Sequence, residues 1–172
     1  FFFLKFYNWS GILVEPNSHF LSDLKKNRNN HIFYGALNNK NIEVDFVECL
    51  SPELSYISSA FPVDSWQSFR KKKELKTIKS FMVYDLLEKF DYEQKLDYLS
   101  LDTEGSELEI LGSIDYKKTQ ISIITVEHNF TNKRNEIKTL LENKDKKRVF
   151  EKFSYCDDWY ISDKIKSFNY VK

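Results

Sequence analysis

The chain has little of what marks several large functional classes. Of its 172 residues only two are cysteine, Cys49 and Cys156. They lie far apart and match no metal-binding or redox spacing, which points away from a disulfide-built secreted domain and towards a reducing, cytoplasmic setting. Only four glycines occur, and none stands in a phosphate-cradling cluster. Lysine plus arginine equals aspartate plus glutamate at 26 each, so no overall field recruits nucleic acid or an anionic membrane, and a charged partner has to be met locally. No apolar run is long enough for a membrane span. The opening FFFLKF is broken by Lys5, is too short to cross a bilayer and lacks the basic front of a signal peptide; it reads as the tail of a helix. The first residue is Phe1 rather than methionine, as in a truncated reading frame or an excised piece.

What is present suits one packed domain spanning residues 1–172. With 41% hydrophobic and 16% aromatic residues the chain can bury one sizeable core, and two domains would be cramped. Strand and helix signals alternate. Residues 11–15 (GILVE) form a short apolar run ending in an acid; Pro16 and Asn17 suit a helix entrance, and Phe20, Leu21 and Leu24 give that helix its stripe. Residues 31–37 (HIFYGAL) and 42–47 (IEVDFV) read as two strands joined by an asparagine-rich turn, in a hairpin or bulged return with Ile42, Val44 and Phe46 on one face. Periodicity fades over residues 51–80, which read as a long irregular excursion of the kind used for lids. A helix over 81–90, a strand over 96–101, a helix carrying Leu108, Leu111 and Ile114, a buried strand over 121–126 and an amphipathic helix over 133–143 follow. The aromatic-rich stretch 148–172 reads as an antiparallel pair closing the sheet.

Strands alternating with helices predict an α/β, Rossmann-like domain with a mainly parallel sheet and right-handed crossovers. Residues 96–111 (LDYLSLDTEGSELEIL) are its most informative stretch: a strand runs into Asp102 and Glu104, turns on Gly105 and enters a helix at once. Open α/β sheets bind ligands outside the carboxyl ends of their strands, and three strands here end in acids, at Glu15, Asp102 and Glu127. Acids at adjacent strand ends face one crevice.

These residues also carry a family resemblance. Residues 9–17 (WSGILVEPN), residues 28–37 with their GAL ending, residues 96–111, VEHN at 126–129 and DDWYISD at 157–163 together resemble the FkbM-type S-adenosylmethionine-dependent methyltransferases, in the expected order over nearly the whole chain. The resemblance implies an S-adenosylmethionine-binding, Rossmann-like methyltransferase fold and O-methylation of a hydroxyl on a sugar, glycan or natural product. It further implies cofactor contacts from Glu15, Pro16, Asn17, Ala36 and Asp102. The sequence departs from the family before residue 9, where members carry a first strand and a glycine loop that nothing here matches. In dinucleotide-binding folds the ribose-holding acid lies about 20 residues beyond that loop, which places it ahead of Phe1. The expectation is an N-terminally truncated domain with two unpaired strand edges, which binds S-adenosylmethionine weakly or not at all.

The chemistry asked of each residue can be stated beside its plainer reading. A strand-end carboxylate accepts hydrogen bonds from both ribose hydroxyls, or else is merely solvated; Glu15 is read as functional. Transfer from a sulfonium leaves in-line positioning of the acceptor and removal of its proton, so Asp102 and Glu104 are read as catalytic candidates, whereas Glu107 is read as favouring the helix dipole. His128 is the third catalytic candidate because a histidine titrates near neutrality, although a lone histidine is more often structural. Asn129 orients a hydroxyl or caps a turn, and His19 and His31 are assigned nothing. No metal is expected, the Asp102 and Glu104 pair alone being weak support for magnesium. The basic run of Arg70, Lys71, Lys72, Lys73 and Lys76 reads as a solvated loop face rather than a nucleic-acid site, with an anionic glycan as a livelier alternative. Trp66, Trp159 and Tyr160 are candidates for stacking on a sugar or for packing. Two other readings stay open: a non-catalytic remnant or interaction module on the same scaffold, and a nucleotide-sugar-dependent transferase.

Overall fold

The computed structural model describes residues 9–165. The opening FFFLKF and the last seven residues of the expected C-terminal pair lie outside that range. Ten strands and four α-helices are described: β1 (Ile12–Glu15), α1 (Ser18–Asn27), β2 (His31–Tyr34), β3 (Ala36–Leu37), β4 (Glu43–Cys49), β5 (Tyr56–Ile57), β6 (Lys72–Phe81), α2 (Val83–Lys89), β7 (Lys95–Leu101), α3 (Glu107–Ser113), β8 (Gln120–Glu127), α4 (Lys133–Glu142), β9 (Lys146–Val149) and β10 (Asp157–Ser162). No helix among the described residues is long and apolar enough to cross a membrane.

The strands form three sheets, ordered β2-β1, β7-β8-β10-β9 and β3-β6-β4-β5. β1–β2, β7–β8 and β3–β6 run parallel; β8–β10, β10–β9, β4–β6 and β4–β5 run antiparallel. The architecture is therefore mixed α/β rather than mainly parallel, and the correction has a physical source. Segments separated by a helix, β1–β2 by α1 and β7–β8 by α3, form parallel crossovers, whereas the short connections at β4–β5 and β9–β10 permit antiparallel return.

The main core lies where α2, α3 and α4 cover the β7-β8-β10-β9 sheet. Leu99, Leu101, Ile110, Leu111, Ile121, Ile124, Val126, Ile137, Leu141 and Tyr160 are all buried there. β8 sits between β7 and β10, which explains its continuous ISIITV run. β7 pairs with β8 alone among the described residues and largely alternates more and less exposed residues. Ile137 and Leu141, four apart, form the buried seam of α4. A second cluster of Ala36, Val44, Phe46, Ile57 and Ile78 fills the β3-β6-β4-β5 sheet.

Two expected elements differ. The 31–37 and 42–47 segments form no hairpin, because β6 inserts between β3 and β4 and pairs with both. The buried Ser80 hydroxyl, which donates to the carbonyls of Lys40 and Ile42, ties the intervening turn onto β6 instead. Ile42 is exposed and lies ahead of β4 rather than on its buried face. The second half of the expected irregular excursion is this same β6, a ten-residue strand. Its lysines hid it, since few of its side chains are apolar. They are matched across the ladder: Lys76 Nζ lies 2.7 Å from Glu48 Oε1, and Thr77 Oγ1 lies 3.3 Å from Asp45 Oδ1. The irregular part is confined to the stretch between β4 and β6, residues 50–71, and contains β5 with three short 3-10 turns.

Candidate functional site

Three strand ends converge. The β7–β8 register pairs Leu101 with Val126, so the next residues, Asp102 and Glu127, stand side by side. The interaction between their carboxyls pulls Asp102 down and pushes Glu127 up. Burial, followed by the charges of Asp102, Glu104 and Glu107, pushes Glu127 up to about 9. Asp102 is also raised, by burial first and then by Asp157, against the hydrogen bond from Glu127. Glu15, at the end of β1, is raised by burial, opposed by the backbone N–H of Asn17 and reinforced by the charge of Asp102. Its Oε1 accepts from Asn17 N at 2.7 Å.

The turn after β7 is built by its own side chains. Glu107, read from sequence as a helix-dipole acid, is buried and accepts from Thr103 N (2.8 Å), Thr103 Oγ1 (2.9 Å) and Gly105 N (3.1 Å). It satisfies backbone donors that the turn would otherwise leave unpaired. Glu104 takes a left-handed backbone, φ 55°, and Gly105 follows at φ 112°. A Cβ on Gly105 would collide with the carbonyl oxygen of Ala60 and press on Pro62, so the 50–71 excursion crosses directly over this turn. Lys133 Nζ donates to the Gly105 carbonyl at 2.7 Å from the start of α4.

The cation beside the acids is Arg70, whose importance was not visible in sequence because it opens a lysine run. It is buried, pairs both nitrogens Nη1 and Nη2 with Asp64 (2.6 and 2.9 Å), and ion-pairs Glu104 through Nη2. Glu104 is nonetheless raised to about 7, because burial outweighs the opposing pull of Arg70, with Asp102 and Asp64 adding to the rise. Single oxygens of Asp102, Glu104 and Glu127 all lie within 4.8 Å of one another, a grouping close enough to surround a cation. Within this group Arg70 is already paired to Glu104.

A cavity of about 920 Å³ opens beside this cluster. Glu15, Pro16, Asn17 and Ala36 line it from the β1 and β3 side, and Asp102 and Glu104 from the β7 side. Its walls include residues 9–15 and 95–100, which run along β1 and β7, each strand with a single partner among the described residues. Asn17 is held in that wall by donating Nδ2 to Pro52 O and Ser55 Oγ while its Oδ1 caps α1 through His19 N.

His128 lies elsewhere. It is buried, its Nδ1 accepts from Phe130 N at 3.0 Å, and its Nε2 faces Asp158 Oδ1 at 3.7 Å. Burial and then Arg134 lower its pKa, so it stays neutral, and it is not among the cavity-lining residues. Asp158 gathers Arg134 (2.8 and 2.9 Å) and Arg148 (3.3 Å) in a separate polar cluster. Asn129 adopts φ 42° and donates its N–H to Cys156 O at 3.4 Å, part of that turn. Tyr160 is fully buried and cannot stack on a sugar, while Trp66 and Trp159 are partly exposed. The basic run divides: Lys72, Lys73 and Lys76 belong to β6, and Arg70 is turned inward.

Carboxylates from separate strand ends on one cavity make an arrangement that open α/β sheets commonly use for small-molecule sites. The family profile of the methyltransferase FkbM domain matches residues 1–159, and the chain belongs to that family, which places it among the methyltransferases. No curated protein and no solved structure matches the chain.

Proposed function

We propose that this protein is an S-adenosylmethionine-dependent O-methyltransferase acting on a hydroxyl of a sugar, glycan or natural product, and that the cavity between the β1 and β7 ends is its cofactor site. The observation that carries the reading is that Glu15 and Asp102, from strands in different sheets, line the same cavity of about 920 Å³. That volume lies in the range of sites for molecules of this size, roughly 300–1,000 Å³. The membership in the methyltransferase family supports the cofactor, and the family resemblance supports the acceptor class.

Bound in the site, S-adenosylmethionine supplies an electrophilic methyl group on a positively charged sulfur. Glu15 accepts hydrogen bonds from the ribose hydroxyls, with Pro16 and Asn17 fixing its approach and the small, buried Ala36 leaving room beside it. Asp102, on the wall of the same cavity, would face the cationic end of the cofactor and orient the acceptor. Glu104, raised to about 7, would take the hydroxyl proton as the acceptor oxygen gains the methyl group and the sulfur–carbon bond breaks, releasing S-adenosylhomocysteine. The location of His128 in the Asp158 cluster favours these carboxylates over it as the proton acceptor.

The test is calorimetric titration of the protein with S-adenosylmethionine up to millimolar concentration, with S-adenosylhomocysteine as competitor. Saturable one-to-one binding that Glu15→Ala weakens supports the reading. Binding that Glu15→Ala leaves untouched shows that the cofactor sits elsewhere, and no binding at all favours a non-catalytic scaffold.

A further inference from the structure

We propose that Arg70 is a positioning residue of the acid site: fixed by Asp64 and carried in on the 50–71 excursion, it latches that excursion to Glu104 and sets the Glu104 carboxylate beside Asp102. Three observations lead there. Arg70 is buried, although it opens a run of lysines that are otherwise exposed, which shows that this one cation has been drawn inward. Its fork is shared between a residue of the excursion, Asp64, and a residue of the β7 turn, Glu104, so one guanidinium joins two segments 34 positions apart. Independently, Ala60 and Pro62 lie against Gly105, the residue next to Glu104, so the excursion is seated on the turn by packing as well as by charge.

A lysine could not make this arrangement, because it presents a single point charge in place of a planar fork. The groups facing Glu104 are Asp102 and Glu127 from the strand ends, Asp64 and Arg70 from the excursion, and Cys49 from β4. Arg70 is the one cation among them. Removing it leaves Glu104 with the neighbouring acids and an uncharged thiol, and leaves the part of the excursion beyond β5 tied to the β7 turn by the Gly105 contact and not by charge. The role of Glu104 in proton transfer rests on the function proposed above, whereas the latch and the placement of Glu104 do not.

The experiment compares wild type, Arg70→Gln, Arg70→Lys and Asp64→Asn by two readouts that need no cofactor: the carboxyl carbon titration of Glu104 followed by NMR, and amide hydrogen exchange across residues 58–70. Arg70→Gln is expected to raise the Glu104 midpoint by more than one pH unit and to speed exchange in 58–70 at least tenfold, with exchange in β7 and β8 unchanged. Arg70→Lys is expected to return the midpoint part of the way to wild type while leaving exchange fast. Asp64→Asn keeps the Arg70–Glu104 pair and is expected to speed exchange with a smaller midpoint change. A midpoint and exchange rates within twofold of wild type in Arg70→Gln overturn the proposal. Should Arg70→Gln fail to fold, unchanged exchange in Asp64→Asn overturns it and faster exchange supports it. Loss of S-adenosylmethionine binding in wild type itself would count against the proposed function and leave these readouts standing.

Discussion

Asp102 and Glu127 stand side by side at the ends of two adjacent parallel strands, set there by the register that places Leu101 opposite Val126, with carboxyl oxygens within 4.8 Å of each other. Two carboxyls this close disfavour ionising together.

The linkage consequence has a definite sign. A carboxyl whose folded pKa is raised contributes stability that is complete below its unfolded value, about 4.3, and lost as pH rises towards the folded value, about 9 for Glu127. Glu127→Gln removes that loss while keeping a donor for Asp102. The variant is expected to be similar to wild type at pH 5 and more stable at pH 9, by about 1 kcal/mol or more given that one pKa unit is about 1.4 kcal/mol. Urea unfolding at both pH values measures the difference; parallel curves for the two proteins would contradict it.

Asp158 works in the opposite direction. Burial alone would raise it, but Arg134, then His128 and Arg148, hold its carboxyl below the ordinary range. Its contribution is present above the unfolded value and is lost as pH falls through the folded one. Asp158→Asn leaves two guanidinium groups without their shared anion and is expected to destabilise the fold by about 3 kcal/mol at pH 7. The deficit shrinks in acid, which thermal melts at pH 7 and pH 3 would reveal.

Gly105→Ala meets both a left-handed backbone and the Ala60 carbonyl. The expected cost is about 1–3 kcal/mol, read as a lower denaturation midpoint. Gly11→Ala is the control, because nothing lies within 4 Å of its added carbon.

Glu15 and Asp102 separate binding from turnover under the proposed function. Glu15→Ala removes charge-assisted hydrogen bonds of about 1.5–3 kcal/mol in all, so S-adenosylmethionine affinity is expected to fall roughly 10- to 100-fold. Asp102→Asn is expected to abolish methyl transfer while changing affinity less. The reverse pattern in calorimetry and a methyl-transfer assay would reassign Asp102 to holding the cofactor.

Much of the site could be read along the chain because strand ends announce themselves: GILVE, LSLD and ITVE each close an apolar run with an acid, and each acid lies within a residue of the end of β1, β7 or β8. The helices α1 and α4 were equally plain from their apolar spacing. β6 was not, since few of its side chains are apolar and the pairing of Lys76 with Glu48 on β4 exists only in the folded chain. Arg70 was hidden for a related reason: a basic run looks the same whether all its members face water or one turns inward.

Local order along the chain is therefore enough to specify most of the strands, β6 apart, the acids that terminate three of them and the family to which the chain belongs, because these depend on residues near in sequence. The excursion's seat on Gly105, the juxtaposition of Asp102 and Glu127, the withdrawal of His128 towards Asp158 and the capture of Glu104 by Arg70 arise only in three dimensions. Each depends on burial and on charges brought together from distant positions, and neither quantity exists until the chain has folded.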